Sequence, residues 1–214
     1  MEKFLLVIGN KNYSSWSLRP WLVLKFFKIP FKEMVIPLYQ AQSKAHILRY
    51  SPSGKVPLLI HGKNRVWDSM AIGEYLAEIF PRKGLWPKDR AARALARSIS
   101  AEMHSGFIAL RKNCPMDVRS FKPLDKIPLE VEGDVRRIRK IWDSCRSRFG
   151  AKGAFLFGAF SLADAMYAPI VWRFQTYGIK LSGLSDEYGK MMRALPAMRE
   201  WQKAGEKESW RIGH

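Results

Sequence analysis

The spacing of apolar residues along the chain changes near residue 80. Before this point, short apolar runs alternate with segments in which apolar residues recur every third or fourth position. The short runs indicate strands, and the longer periodic segments indicate helices. These patterns predict strands at 4–9, 31–38, 56–60 and 65–67, and helices at 16–28, 41–50 and 69–80.

The resulting order βαβαββα predicts an α/β domain with a mixed sheet over residues 1–80. The next segment, FPRKGLWP at 80–87, has the Pro and Gly content of a linker. Beyond it the strand patterns stop, which predicts an all-α second domain over 88–214. Its helices are expected at 88–112, 130–149, 162–177 and 186–204.

The composition excludes several classes of protein. With 47% hydrophobic residues among 214, the chain can bury a core and is not of the disordered class. No apolar run approaches the roughly 18 residues of a membrane span, and the first residues lack a signal-peptide pattern. Cys114 and Cys145 are too few for a disulfide scaffold and too far apart for a metal-ligand pair. We therefore expect free thiols, no metal and no membrane contact, in a reducing cytoplasm.

The net charge of +18 is high enough to raise the question of a nucleic-acid partner. The basic residues are spread out, with 11 basic and 5 acidic residues in 1–80, and 26 and 14 in 81–214. The densest run, RRIRK at 136–140, lies on a predicted helix whose buried face contains Val135 and Ile138. Its arginines are expected to face water, so we do not expect nucleic acid to bind.

The segment SPSGKVPLL at 51–59 joins a turn to a predicted strand. Because proline cannot donate to a sheet ladder, Pro57 marks either an edge strand in trans or a cis peptide bond. A cis bond leaves the backbone N–H and C=O of Val56 free to pair with an extended, peptide-like ligand. The motif by itself leaves both alternatives open.

Asp68 and Ser69 stand where the predicted hairpin ends and the helix 69–80 begins. Asp68 has the position of an N-cap, and the free N–H groups of a helix N-terminus suit a ligand carboxylate. Asp68 could in addition bind a ligand ammonium group. Asp68 and Ser69 together therefore predict a site for an α-amino acid. Ser161 and Asp164, in FSLADAMYAPI, fit a capping box, which predicts a structural helix start.

Together these motifs resemble the cytosolic glutathione transferases over the whole chain. The resemblance rests on Tyr13-Ser14-Ser15, Gly54-Lys55-Val56-Pro57, Asp68-Ser69 and the FSLADA box, in this order. It implies a thioredoxin-like first domain, an all-helical second domain and a homodimer. The run SSWSLR at 14–19 resembles the serine-type, zeta-like bacterial branch, where the corresponding run is SSCSWR. Trp16 replaces the cysteine of that run, which argues against the zeta-type isomerisation of maleylacetoacetate.

The resemblance implies that the chain activates the thiol of glutathione, its cosubstrate, for attack on small hydrophobic electrophiles. A free thiol, with a pKa of about 8.5, is mostly protonated at neutral pH. A hydrogen bond from Ser14, helped by N–H groups at the first helix N-terminus, would favour the thiolate. Ser15 and Tyr13 are the alternative donors.

The resemblance also assigns the remaining contacts with the ligand. Val56, beside a cis Pro57, pairs with the cysteinyl unit, Lys55 meets the glycyl carboxylate, and Asp68 and Ser69 hold the γ-glutamyl end. The first loop and the helical domain are expected to supply the electrophile pocket. Its candidates are Tyr13 and Trp16 on one side and, on the helix 88–112, the stripe Met103, Phe107 and Arg111. Such a stripe is more often part of a core than of a pocket.

Two other functions stay open. One is a glutathione-dependent isomerase, peroxidase or dehalogenase that uses the same site. The other is a non-catalytic glutathione-transferase-like protein that binds ligands or other proteins. Cysteine-based thiol exchange is disfavoured, because residues 10–20 contain no cysteine.

Overall fold

The computed structural model describes residues 3–212 of the chain. Its first part contains a four-stranded sheet with the order β2-β1-β3-β4. β1 runs parallel to β2, and β3 runs antiparallel to β1 and β4, so the predicted mixed sheet is confirmed. The strands are β1 (Phe4–Ile8), β2 (Phe31–Val35), β3 (Leu58–His61) and β4 (Asn64–Val66), and the helices are α1 (Ser15–Phe26), α2 (Ser43–Leu48) and α3 (Ser69–Ile79).

The central strand β1 is buried on both faces of the sheet. Successive side chains of a strand point to opposite faces, and both faces of β1 are covered by helices. Leu6 and Ile8 belong to the main core, which includes residues of α1 and α3. Val7 belongs to a smaller core on the other face, together with Ile47 of α2 and Leu58 of β3. The sheet therefore holds the start of α1 and the start of β3 close to one edge of the domain.

After β4, every regular element in the described residues is helical, which confirms the predicted all-α part. Leu85 and Trp86, in the segment expected as a linker, are buried rather than free in solvent. The division into domains at 80–88 stays a prediction, and residues 1, 2, 213 and 214 of the expected domains lie outside the described residues. The helices are α4 (Arg90–Ser105), α5 (Ile108–Asn113), α6 (Leu129–Phe149), α7 (Leu162–Thr176), α8 (Gly183–Ala194) and α9 (Pro196–Glu206).

The prediction of one helix over 88–112 is wrong. α4 ends at Ser105, and α5 begins at Ile108 after a break at Gly106 and Phe107. Phe107 is left-handed, with φ 58°, and a Cβ on Gly106 would lie 2.8 Å from the Glu102 carbonyl oxygen. The apolar spacing continues through the break, so the pattern did not reveal it.

The prediction of one helix over 186–204 is also wrong. α8 ends at Ala194 and α9 begins at Pro196. Leu195, between them, is extended, with φ −56° and ψ 134°. The residue before a proline avoids the α region because of a clash with the proline ring. Pro196 therefore separates the two helices.

Helix α7 is buried on nearly all sides and packs against α1 and α4. Its predicted capping box is confirmed, because the backbone N–H of Ser161 donates to Asp164 Oδ2 at 2.8 Å. A helix that is apolar all round belongs in the interior. α7 thus places Arg173, near its C-terminal end, directly against the start of α1. Among residues 3–212, the structure contains no helix with the length and apolar character needed to cross a membrane.

Candidate functional site

A groove of about 820 Å³ brings together several of the residues singled out in the sequence. Trp16 of α1 lies at one side of this groove. The other walls are formed by the segments after β2, before β3 and before α3. The lining residues are Trp16, Leu38, Tyr39, Gln40, Ala41, Ser43, Lys44, Ile47, Ser53, Gly54, Lys55, Val56, Pro57, Trp67 and Asp68.

The turn before β3 contains a cis peptide bond and a left-handed glycine. The Val56–Pro57 peptide bond is cis, which decides between the two alternatives that the motif left open. Gly54 has φ 63°, a left-handed conformation that favours glycine. Val56 lies just before β3, outside the sheet ladder, and lines the groove.

Asp68 connects the start of α3 with the second part of the chain. Its Oδ1 accepts the backbone N–H groups of Met70 and Ala71, at 3.0 and 3.4 Å, as the N-cap of α3. Its Oδ2 lies 2.9 Å from Nε2 of His104, on α4. Burial lowers the pKa of His104 below its ordinary 6.5, and this effect outweighs the attraction of Asp68. His104 was not among the expected site residues.

Ser69 is buried beside the groove. Its hydroxyl accepts a long hydrogen bond of 3.5 Å from Arg19. Ser69 does not line the groove as Asp68 does, although its backbone opens α3. The structure therefore brings Lys55, Val56, Pro57 and Asp68 into one groove, and places Ser69 behind it.

The two serines expected to act on the thiol have different surroundings. Ser14 is the N-cap residue of α1, and its hydroxyl donates to Ser17 Oγ at 2.7 Å. Ser17 Oγ also accepts the backbone N–H of Gly9 at 3.1 Å. Ser15 Oγ instead accepts a hydrogen bond of 3.3 Å from Arg173, on α7. The Ser14 proton is therefore used within the first domain, whereas the Ser15 hydroxyl donates no hydrogen bond within the described residues. Both serines are buried and lie beside Trp16 rather than in the groove lining.

Three arginines from three different helices lie around Trp16 and Ser15. The guanidinium groups of Arg19 and Arg111 lie 4.3 and 4.9 Å from the Trp16 ring. Arg173 completes the group through its contact with Ser15. We call Arg19, Arg111 and Arg173 the arginine cluster.

Two members of the arginine cluster, Arg19 and Arg173, are buried, Arg111 is half-buried, and all three are positively charged. Arg19 is 3% exposed, and its Nε has no hydrogen-bond partner in the described part of the chain. Burial, together with the positive charges of Arg111 and Arg173, lowers the pKa of Arg19 to about 9. Burial also lowers the pKa of Arg173 to about 10. All three arginines remain charged at neutral pH, so this region carries a strong positive potential.

The other candidates for the electrophile pocket have separate locations. Met103 and Phe107 are buried in the main core, which corrects the expectation that they face a ligand. The Tyr13 hydroxyl accepts hydrogen bonds from Arg119 at 2.5 Å and from the Ile212 N–H at 3.4 Å. Tyr13 therefore contacts the C-terminal part of the chain and does not line the groove. Of the five candidates, Trp16 lines the groove and Arg111 stacks beside it.

The loop at 10–13 is fastened to the C-terminal part of the chain. Glu208 accepts the backbone N–H groups of Lys11 and Asn12, at 2.6 and 3.0 Å. Arg119 donates both to the Tyr13 hydroxyl and to the Glu208 carbonyl oxygen. We call these contacts of Arg119 and Glu208 the C-terminal clasp. It fixes the loop that precedes Ser14.

Both cysteines are expected to be unreactive in the folded protein. Cys114 and Cys145 are free, buried, and 0% and 2% exposed. Burial raises the pKa of each thiol to about 11, so almost no thiolate forms at neutral pH. An aromatic disulfide reagent should titrate two thiols in denaturant and none rapidly in buffer. Fast reaction of either thiol in the native protein would contradict this placement.

Comparison with known proteins gives the class to which this fold and this groove belong. The family model of the glutathione S-transferase N-terminal domain matches residues 13–79, and that of the C-terminal domain matches residues 128–204. Together the two matches cover more than half of the chain. The chain belongs to the glutathione S-transferase family.

Relatives and solved structures agree with this assignment. A probable maleylacetoacetate isomerase of Caenorhabditis elegans is 35% identical over 49% of this chain and 48% of its own length. A stringent starvation protein A homolog of Haemophilus ducreyi is 26% identical over 69% of this chain and 64% of its own length. The chain thus spans only about half to two thirds of these relatives. A glutathione transferase homolog from Burkholderia gl BGR1, solved with bound glutathione, has a TM-score of 0.72 at 23% identity, covering 95% of this chain and 98% of the other.

Proposed function

We propose that this protein is a glutathione transferase that binds glutathione in the groove beside Trp16. One observation carries the proposal. The groove places the free backbone of Val56, next to a cis Pro57, together with Asp68 at the start of α3. The free backbone of Val56 can pair with a peptide backbone. Asp68 and the N-terminus of α3 can bind the ammonium and carboxylate groups of an α-amino acid.

The groups of the tripeptide fit the groove from one end to the other. Asp68 holds the γ-glutamyl ammonium, and the N-terminus of α3 at Ser69 takes the neighbouring carboxylate. Val56 pairs its main chain with the cysteinyl unit, as in a short antiparallel ladder. Lys55, which is exposed in the groove wall, meets the glycyl carboxylate. The cysteinyl sulfur then lies towards the start of α1.

The reaction that follows is a nucleophilic substitution or addition by the thiolate. The S–H bond ionises, and its proton passes to water. The sulfur lone pair forms a carbon–sulfur bond with the electrophile. In a substitution the leaving group departs with its bonding pair, and in an addition the π pair of the attacked double bond takes up a proton from water. A serine hydroxyl at the start of α1 stabilises the thiolate by donating a hydrogen bond. Ser14, the first choice from sequence, and Ser15 are the two donors offered there.

A second candidate is a glutathione-dependent isomerase at the same site. It is favoured by the similarity to the probable maleylacetoacetate isomerase of C. elegans. It is disfavoured by Trp16, which replaces the cysteine of the zeta-type run. Product analysis separates the two, because a transferase consumes glutathione and an isomerase returns it.

Removing Lys55 should weaken glutathione binding in a way that removing a nearby lysine does not. We expect Lys55→Ala to weaken binding about threefold to fivefold, as for loss of an exposed ion pair. Lys63→Ala, in the exposed turn between β3 and β4, is the matched control and should bind like the wild type. The measurement is titration calorimetry, with conjugation of a chlorodinitrobenzene probe followed in parallel.

Two results of these assays bear on the proposed function itself. A wild-type protein that binds no glutathione would refute it. Binding without conjugation of any electrophile would favour the non-catalytic binding role. Light scattering in the same buffer tests the expected homodimer.

A further inference from the structure

We propose that the arginine cluster stabilises the glutathione thiolate and acts on the sulfur through Ser15. This inference rests on the proposed function, which gives the three arginines no role. Arg19, Arg111 and Arg173 are positioning residues in this scheme, because they act through Trp16 and Ser15. Two of them come from the helical part of the chain. Thiol activation would thus depend on both parts of the protein.

The hydrogen bonds of the two serines favour Ser15 as the donor to sulfur. The Ser14 proton is directed to Ser17, whose oxygen is held by the Gly9 N–H. Ser15 accepts an N–H from the guanidinium group of Arg173. A hydroxyl that accepts from a cation becomes a stronger donor, because hydrogen bonds in a chain polarise one another. Ser15 therefore combines a free proton with a polarising partner.

The charged groups around this position leave an excess of positive charge. α1, α5 and α7 contribute Arg19, Arg111 and Arg173. Two carboxylates are close enough to affect the cluster: Asp68, before α3, and Asp134, on α6. Asp68 binds His104 and caps α3, and Asp134 accepts the N–H of Leu110. These two negative charges offset only part of the three positive charges.

The neighbouring neutral groups do not cancel this charge. His104, on α4, has a lowered pKa and is neutral at pH 7. Burial raises the pKa of Cys114 to about 11 and raises that of Tyr167 well above its ordinary value. Neither of them ionises near neutral pH. Within residues 3–212, the region therefore contains two buried cations, Arg19 and Arg173, with the half-buried Arg111 beside them, and no buried anion.

Buried cations are costly unless an opposite charge accompanies them. Arg19 is such a case, because the residue is 3% exposed and its Nε has no hydrogen-bond partner within residues 3–212. The peptide carbonyls of Arg111 and Cys114 satisfy part of Arg173 but add no full negative charge. An anion at the start of α1 would offset the repulsion within the cluster. The thiolate is the anion that the proposed reaction forms there.

The test is a pH titration of the thiolate absorbance of bound glutathione. In the wild-type complex, the thiol should ionise below the free value of about 8.5. We expect Arg173→Gln and Ser15→Ala to raise the thiol pKa by about one unit, which is tenfold in the ionisation constant. Arg173→Lys keeps the charge and should lie between wild type and Arg173→Gln. Ser14→Ala should shift the pKa less than Ser15→Ala does.

Two further variants guard against a purely structural explanation. Arg173 is buried, so Arg173→Gln is a risk to folding, whereas Arg111 is only half-buried. Arg111→Gln should also raise the thiol pKa. Arg146→Gln removes an arginine of the second domain that bonds the Phe155 carbonyl outside the cluster, and it should leave the thiol pKa unchanged.

The outcomes separate this inference from the proposed function. Variants Arg173→Gln and Arg111→Gln that bind glutathione with the wild-type thiol pKa would overturn the role of the cluster. A larger shift in Ser14→Ala than in Ser15→Ala would overturn the path through Ser15. A wild-type protein that fails to bind glutathione at all would instead refute the proposed function.

Discussion

Replacing Asp164 with alanine is expected to lower the free energy of unfolding by about 3 to 5 kcal/mol. The Asp164 carboxylate is completely buried, and it accepts four hydrogen bonds at 2.8 to 3.2 Å. Alanine would leave all of these donors buried without a partner. The removal of a desolvated charge offsets part of the loss. The donors are the backbone N–H groups of Leu156 and Ser161, and the hydroxyl groups of Ser161 and Tyr188.

Asp89→Ala is the matched control for this substitution. Asp89 caps α4 through a single 2.8 Å bond from the Ala92 N–H, at the surface. Loss of such a cap costs about 1 kcal/mol. Urea unfolding of both variants measures the difference. Equal destabilisation would mean that the buried network at the start of α7 adds nothing beyond an ordinary cap.

The same carboxylate predicts a pH dependence with a definite sign. Burial raises the pKa of Asp164 from 3.8 to about 6, so the folded protein binds this proton more tightly than the unfolded chain. Stability therefore falls as the pH rises from about 4 to about 6, and then levels off. This part of the pH profile should be missing in Asp164→Ala.

Asp68→Asn should weaken glutathione binding about tenfold to a hundredfold, which is about 1.4 to 2.7 kcal/mol. The amide retains an oxygen that can cap α3, as the Asp68 carboxylate does through Met70 and Ala71. It loses the negative charge proposed to hold the γ-glutamyl ammonium. Titration calorimetry at low and moderate salt measures the affinity for glutathione. Added salt should reduce the difference in affinity between the variant and the wild type.

Two controls show which contact of Asp68 matters. Glu74→Gln removes an exposed carboxylate of α3 that pairs with Arg97, and it should not change glutathione binding. His104→Gln removes the partner of Asp68 Oδ2 but leaves its charge, so we expect a smaller loss. Wild-type binding by Asp68→Asn would show that Asp68 serves only to cap α3.

Most of the fold could be predicted from sequence because its signals are local. The four strands and α1 to α3 follow from apolar spacing and from Gly and Pro positions. The break between α4 and α5 was missed because Met103 and Phe107 continue the apolar stripe across it. Gly106 was its signal, and Pro196 was the signal for the break between α8 and α9.

Some residues of the candidate site could likewise be predicted from local signals, and others could not. Val56, Pro57 and Asp68 could be identified because turn chemistry and capping depend on adjacent residues. The arginine cluster could not be identified, because it depends on how α1, α5 and α7 pack together. One signal was available, since Arg173 is a charged residue in a helix whose other positions are almost all apolar.

The C-terminal clasp has a consequence for the order in which the protein folds. Glu208 and the loop that it holds are separated by 196 and 197 residues along the chain. Contacts between such distant residues form late, because a long segment must first be brought together. The groove is built from residues 16 to 68 and needs no such closure. During refolding, we expect affinity for the tripeptide to appear first, and a lowered thiol pKa only after the chain has closed on itself.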